Sequence, residues 1–242
     1  MAMTPHIQSI ERAVRMLSLF GHEEPHLSLP QLTERSGLGR ASTHRYATAL
    51  RREGLLRYDE ARNLYSLGPR ILGLASVAMA SLRVVTIAGP HMDRLAQDLN
   101  ETIVLSVADG GAATVARVSE APRRSVVISP RLGMRLDHLG SAQGVLITAL
   151  TTDGSALDPD VLARVRATRM ATLVDGNFGV LAAPVFQGGT LVATMAILGL
   201  PDDVSEAATD KVDALRRAAE RVSAELGGDD AEMVAPPGRA VR

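Results

Sequence analysis

The segment SLPQLTERSGLGRASTHRYATALRREGLL, residues 28–56, decides the fold of the N-terminal part of the chain. Ser28 with an early proline is typical of a helix start, and Gly37 is typical of a helix end. After the short turn Gly37-Leu38-Gly39, apolar side chains recur at helical spacing and predict a second helix. Two helices joined by so tight a glycine-containing turn are typical of a helix-turn-helix unit.

The start of the second predicted helix is basic and carries hydroxyl groups. An arginine can pair with a guanine edge in the DNA major groove, while hydroxyls and backbone N–H groups at a helix start suit phosphates. A solvated helix face is the alternative interpretation. Because the tight turn precedes these residues and a hairpin follows them, we favour recognition of double-stranded DNA. The predicted contacts are Arg40, Ser42, Thr43, His44 and Arg45.

After Gly54 the spacing of apolar residues changes from helical to strand-like, which predicts a β-hairpin. Two short strand-like runs, 55–58 and 64–67, flank the polar turn 59–63. A hairpin directly after a recognition helix is a wing. We predict that Arg57 and Arg62 contact a phosphate or the minor groove, with a solvated hairpin as the alternative.

Composition and charge narrow the class of protein. The chain has 242 residues, a net charge of −1 and no cysteine, which excludes disulfides and thiolate metal sites. Residues 1–70 contain ten Arg against seven Asp and Glu, an excess that fits one DNA-binding module joined to a more acidic domain. The N-terminus lacks the apolar region of a signal peptide, so we expect a cytoplasmic protein with no membrane partner.

Three local patterns resemble catalytic or metal-binding motifs, but each lacks the spacing or geometry that the motif needs. His22-Glu23-Glu24-Pro25-His26 matches H-E-x-x-H, but proline disrupts the helix that this zinc site needs. In Gly140-Ser141-Ala142-Gln143-Gly144 the serine is displaced from the G-x-S-x-G position. Asp137 and His138 are adjacent on an extended segment and point to opposite sides. We therefore predict no enzyme, no metal and no cofactor.

The rest of the chain predicts a linker helix and a mixed domain. Gly68-Pro69 opens a helix whose apolar stripe, rich in small residues, suits burial against a second copy of the chain. Strand-like runs then alternate with helices and end in the long amphipathic helix 205–226. Helices laid against an antiparallel sheet give an α+β fold class.

Several segments together resemble the IclR-type bacterial transcriptional regulators. In the N-terminal part they are SIERAVRMLSLF (9–20), the segment 28–56, and NLYSLGPRILGLA (63–75). Further along, the matches are Asn100-Glu101-Thr102, Gly140-Ser141-Ala142-Gln143-Gly144 and Ala182-Ala183-Pro184-Val185.

The resemblance implies a winged helix-turn-helix, a linker helix and a GAF-like effector-binding domain. The corresponding boundaries are 1–68 for the DNA-binding domain, 69–84 for the linker and dimerisation helix, 85–227 for the effector domain and 228–242 for a disordered tail. It also implies a dimer or tetramer that binds a pseudo-palindromic operator and responds to a small organic effector. The implied pocket residues are Ser141, Ala142, Gln143, Asp175, Leu181, Ala183, Ala196 and Leu198.

Two pocket positions depart from the family pattern. The last strand of the family often presents small hydroxyl residues to the ligand, whereas this chain has Ala196 and Leu198. Since buried polar ligand atoms need partners, we expect an apolar or aromatic effector with at most one carboxylate or carbonyl end. The alternative interpretation is that the pocket has lost the ability to bind a ligand. A further alternative is a small-molecule-binding or hydrolytic enzyme domain with an N-terminal protein-interaction module.

Overall fold

The computed structural model divides the chain into two compact units, Met1–Ser81 and Leu82–Arg242. It describes residues 7–109, 112–120, 123, 130–204 and 208–227. The predicted tail, 228–242, lies outside the described residues.

The N-terminal unit is a helix-turn-helix followed by a hairpin and one more helix, which confirms the predicted winged fold. Its elements are α1 (Gln8–Leu17), α2 (Leu29–Ser36), α3 (Arg40–Arg52), β1 (Leu56–Asp59), β2 (Leu64–Leu67) and α4 (Arg70–Ser81).

Local hydrogen bonds set the ends of α2. The Ser28 hydroxyl accepts the Gln31 amide N–H, and the Gln31 side-chain oxygen accepts the Ser28 amide at 2.8 Å. This reciprocal pair satisfies two donors at the helix start. Gly37, with φ of 68°, ends the helix in the left-handed conformation that glycine adopts without strain. The tight turn into α3 therefore follows from local sequence.

Helices α1–α3 and the hairpin enclose one small apolar core. Met16, Leu32 and Ala47 supply one fully buried residue from each helix. Leu27 pairs with Tyr65 in an isolated bridge, which ties the segment before α2 to strand β2. The core thus holds α3 against the hairpin and leaves the opposite side of α3 exposed.

Helix α4 has no buried residue. Leu72, Leu74 and Val77 are 74%, 57% and 72% exposed. Apolar side chains so exposed along one helix are unusual for a globular unit. The predicted linker, 69–84, spans α4 and the first residues of the next helix.

The C-terminal unit is an α+β domain built on six antiparallel strands. Along the sheet, the strand order is β5-β4-β3-β8-β7-β6. The elements are α5 (Arg83–Leu99), β3 (Thr102–Asp109), β4 (Ala112–Ser119), β5 (Arg135–Leu136), α6 (Ala142–Thr151), α7 (Pro159–Thr168), β6 (Ala171–Asp175), β7 (Phe178–Gln187), β8 (Thr190–Gly199) and α8 (Thr209–Glu225).

Helices cover both faces of this sheet. Ile103, Met195 and Ile197 face α5 and α8 and belong to the larger core. Their neighbours Val104 and Ala196 face the other way, toward α6. Because successive side chains of a strand point to opposite faces, each strand divides its residues between two cores.

The described chain shows two further features that bear on function. No single helix is long and apolar enough to cross a bilayer, although α4 and α5, separated by a break, reach that length and composition together. Within the same residues, no group of three or more His, Cys, Asp or Glu side chains could hold a metal ion.

A polar clamp joins α5 to the sheet. The Asp93 carboxylate accepts hydrogen bonds from the Ser119 hydroxyl and from Arg117, whose Nη2 lies 3.0 Å and 3.2 Å from its two oxygens. The Ser119 hydrogen bond lowers the pKa of Asp93, partial burial raises it, and Arg117 lowers it, so the pKa lies below the ordinary value.

Asp93→Asn should therefore reduce stability in a pH-dependent way. The carboxylate stabilises the fold above the unfolded pKa of about 3.9, and this contribution is lost as the pH falls through the lower folded pKa. We expect a loss of at most about 1 kcal/mol at pH 7, because the ion pair is half exposed. Urea unfolding at pH 7 and pH 3 would measure it, with Asp98→Asn on the same helix as control. A loss of equal size at both pH values would contradict the prediction.

Candidate nucleic-acid interface and ligand cavity

The start of α3 presents a cationic surface. Arg40, His44 and Arg45 are exposed, and Ser42 is half-buried at the edge of the same surface. The first backbone hydrogen bond of the helix is donated by Thr43 to Gly39, so the preceding amides are not used within the helix. Free N–H groups, guanidinium groups and a hydroxyl together suit the groove and backbone of DNA.

Thr43, predicted as a DNA contact, does not lie on this exposed surface. Its side chain is fully buried, and its hydroxyl donates to the Gly39 carbonyl at 3.3 Å. Thr43 lies one turn before Ala47 and two turns before Leu50, which places all three on the core face of α3. The polar side chain had suggested exposure, but its position on the helix decides where it points.

The wing holds its two predicted arginines on a fixed turn. Arg57 and Arg62 are both exposed. At the tip, the Asp59 carboxylate accepts the amide of Arg62 at 3.1 Å. The Tyr58 hydroxyl donates to the Asn63 side-chain oxygen at 2.8 Å. These bonds close the turn, so Arg62 projects from an ordered hairpin and can reach a nucleic-acid backbone.

A cavity of about 520 Å³ lies between α6 and the α6-facing side of the sheet. It contains five of the predicted pocket residues: Ser141, Ala142, Gln143, Ala196 and Leu198. Ten further lining residues were not predicted for the pocket: Val104, Pro130, Met134, Arg135, Leu136, Asp137, Gly140, Leu173, Phe178 and Val180. Most are apolar, so the cavity walls suit hydrocarbon or aromatic groups.

The polar groups of the cavity concentrate at the start of α6. Ser141 is the N-cap, and its hydroxyl accepts the Gly144 amide at 3.0 Å. The next two amides, of Ala142 and Gln143, donate to no group in the described part of the chain. Arg135 contributes the one arginine or lysine among the lining residues. The lining thus brings a helix start and an arginine to one cavity, and each favours an anionic or carbonyl group.

The loop before α6 packs directly on the helix. Asp137 accepts the backbone amides of Gly140 and Leu139, and these hydrogen bonds lower its pKa. A Cβ atom on Gly144 would lie 2.2 Å from the Asp137 carbonyl oxygen and 2.6 Å from the His138 Cα. Glycine at 144 therefore permits a contact that any side chain would block.

Three predicted pocket residues do not line this cavity. Leu181 and Ala183 are buried in the core against α5 and α8, on the opposite face of the sheet. Their neighbour Ala182 pairs with Ala196 and faces α6. Asp175 is exposed at the end of β6 and does not line the cavity.

The remaining motif candidates have no catalytic geometry. Ser141 donates its hydroxyl to the Asp137 backbone carbonyl rather than to a general base. The segment 22–26 lies in the connection between α1 and α2 and forms no helix, so its two histidines do not share a helical face.

Comparisons with known proteins agree with this architecture. Residues 9–60 match the IclR helix-turn-helix domain. An HTH-type transcriptional regulator of Mycobacterium tuberculosis is 34% identical over 167 residues, which make up 69% of this chain. The aligned part is 61% of that protein, so the chain spans about three-fifths of its length.

Solved structures share the whole fold. An IclR transcriptional regulator from Silicibacter has a TM-score of 0.79 and 22% identity, over 95% of this chain and 98% of its own. An IclR homologue from Microbacterium hydrocarbonoxydans, complexed with 4-hydroxybenzoate, has a TM-score of 0.73 and 21% identity, over 90% and 98%. The relatives are regulators of transcription rather than enzymes. Residues 9–60 thus belong to the IclR helix-turn-helix family, and the chain as a whole shares its fold with IclR transcriptional regulators.

Proposed function

We propose that this regulator binds a pseudo-palindromic operator as a dimer or tetramer, and that a small, largely apolar organic effector controls its affinity. The observation that carries the proposal is the pairing of two separate sites in one chain. The N-terminal unit exposes the cationic start of α3, and the C-terminal unit contains an apolar cavity.

In this proposal, α3 enters the major groove and the wing contacts the flanking backbone. Arg40 and Arg45 pair with base edges or phosphates, while Ser42 and His44 contact the DNA backbone. Arg57 and Arg62 extend the contact to a phosphate or the minor groove. Thr43 is a core residue next to this surface and serves as the natural control.

Arg45→Ala should weaken operator binding by about 1–3 kcal/mol if Arg45 reads a base. Ser42→Ala should weaken binding to all sequences alike, because a phosphate contact carries no sequence information. Thr43→Val keeps shape and burial, and should leave affinity unchanged. Gel shifts on DNA from upstream of the gene, at several salt concentrations, would measure these effects. A footprint and affinity unchanged by Arg45→Ala would remove it from the base-reading residues.

The exposed apolar face of α4 supports pairing with a second copy. Leu74 and Val77 are three residues apart and lie on one side of the helix. Pairing would bury this face and place two recognition helices on successive major grooves, about 34 Å apart.

Val77→Asp should convert the dimer to a monomer, because a carboxylate would be buried without a partner. Operator affinity should fall with it, since one half-site binds more weakly than two. Analytical ultracentrifugation would report the mass. Ser76→Asp adds the same charge to a neighbouring side of the helix and is the control. A Val77→Asp protein that remained dimeric would place the interface elsewhere.

The cavity supports an effector with an apolar body and one acidic or carbonyl end. Ala196 and Leu198 line it without hydroxyl groups, while the start of α6 and Arg135 provide donors. The neighbour complexed with 4-hydroxybenzoate has the same fold and an aromatic acid as its ligand. A coupling free energy of about 1–3 kcal/mol would suffice to change operator occupancy severalfold.

Benzoate-type aromatic acids should raise the melting temperature of the protein and shift operator affinity, whereas small hydroxy acids such as lactate should do neither. The reason is that lactate is too small to fill the apolar walls of the cavity. Thermal-shift screening followed by gel shifts with each acid would measure both effects. Preference for lactate over benzoate would contradict an apolar effector.

A further inference from the structure

One buried side chain brings an amide group to the largely apolar cavity. Gln143 lines the cavity and is only 4% exposed. Its amide nitrogen Nε2 donates to the Thr194 hydroxyl at 3.0 Å and lies 3.3 Å from the Thr194 backbone carbonyl. Thr194 lies on the central strand β8 and is itself fully buried.

These contacts determine the orientation of the Gln143 amide. A backbone carbonyl can only accept a hydrogen bond, so the atom that faces it must be the nitrogen. The Gln143 oxygen Oε1 then points away from Thr194. Both hydrogen bonds recorded for the Gln143 side chain among the described residues involve Nε2.

A second polar group beside Thr194 also makes no hydrogen bond within the described residues. Ser106 pairs with Thr194 in the sheet register, is fully buried, and its hydroxyl has no partner among the described residues. An acceptor left unpaired in such a place is costly, and natural proteins usually provide a partner. For Oε1, the partner can come from a molecule in the cavity.

We infer that the effector carries a hydrogen-bond donor, a hydroxyl or N–H group on its apolar body, which Gln143 Oε1 accepts. This inference rests on the proposed effector function and narrows its ligand class to donor-bearing aromatic or apolar acids. Thr194 holds the amide in its accepting orientation. A ligand with a methyl ether in place of the hydroxyl fills the same volume but places two acceptors against each other.

The test compares matched probes on the full chain by calorimetry. The probes are benzoate, the three hydroxybenzoate isomers and the three corresponding methoxybenzoates. We expect at least one hydroxybenzoate to bind about 10-fold more tightly than its methyl ether. In Gln143→Met this preference should fall to about 2-fold or less, because methionine keeps the volume and offers no amide oxygen.

Two further variants keep the result interpretable. Thr151→Val removes a hydroxyl that bonds within α6, outside the cavity lining, and should retain the wild-type preference. Gln143→Met with Thr194→Val removes both partners of the buried bond, and it replaces the single variant should that fail to fold.

The possible outcomes distinguish an error in the role of Gln143 from an error in the proposed effector class. Equal affinity for hydroxy and methoxy probes in the wild type, or an unchanged preference in the Gln143 variants, would overturn the role of Gln143 while leaving an aromatic-acid effector in place. Absence of binding by every probe would overturn the proposed effector class and this inference with it.

Discussion

Burial of both faces of strand β8 is the constraint on which the C-terminal unit depends. With β3 and β7 bonded to its edges, β8 lies in the middle of the sheet, and helices cover it above and below. Its residues must therefore alternate between two cores, one against α5 and α8 and one against α6. The cavity lies within the second core. Thr194, Ala196 and Leu198 point toward that side because Met195 and Ile197 are committed to the other.

In the N-terminal unit, helical spacing plays the part that strand alternation plays in the sheet: it divides side chains between the core and the surface. The short turn after Gly37 sets the position of α3 against α2, and the buried residues of α3 follow at helical spacing. What remains exposed is the cationic side of the helix start. Neighbouring residues can therefore differ completely in exposure: Thr43 is buried in the core, while His44 lies on the exposed cationic side.

The elements of the N-terminal unit could be predicted from the sequence because their signals are local. The Ser28 cap, the glycine turn and the hairpin each occupy a few consecutive residues. The cavity residues on α6 could also be predicted from the sequence, since they belong to a recognisable motif. Leu181 and Ala183 were misplaced because strand register depends on distant partners, and a shift of one residue moves every side chain to the other face. Gln143 was predicted as lining, but its orientation required knowledge of Thr194, fifty-one residues away.

The close approach at Gly144 has a mechanical consequence. Backbone atoms of 137–138 rest where a side chain would otherwise stand, and the Ser141 hydroxyl bonds both to the Asp137 carbonyl and to the Gly144 amide. The first turn of α6 and the loop that borders the cavity are thereby joined without an intervening side chain that could yield. A ligand that displaced the start of α6 would also have to displace the loop at 137–138, so we expect these two parts of the cavity wall to move together.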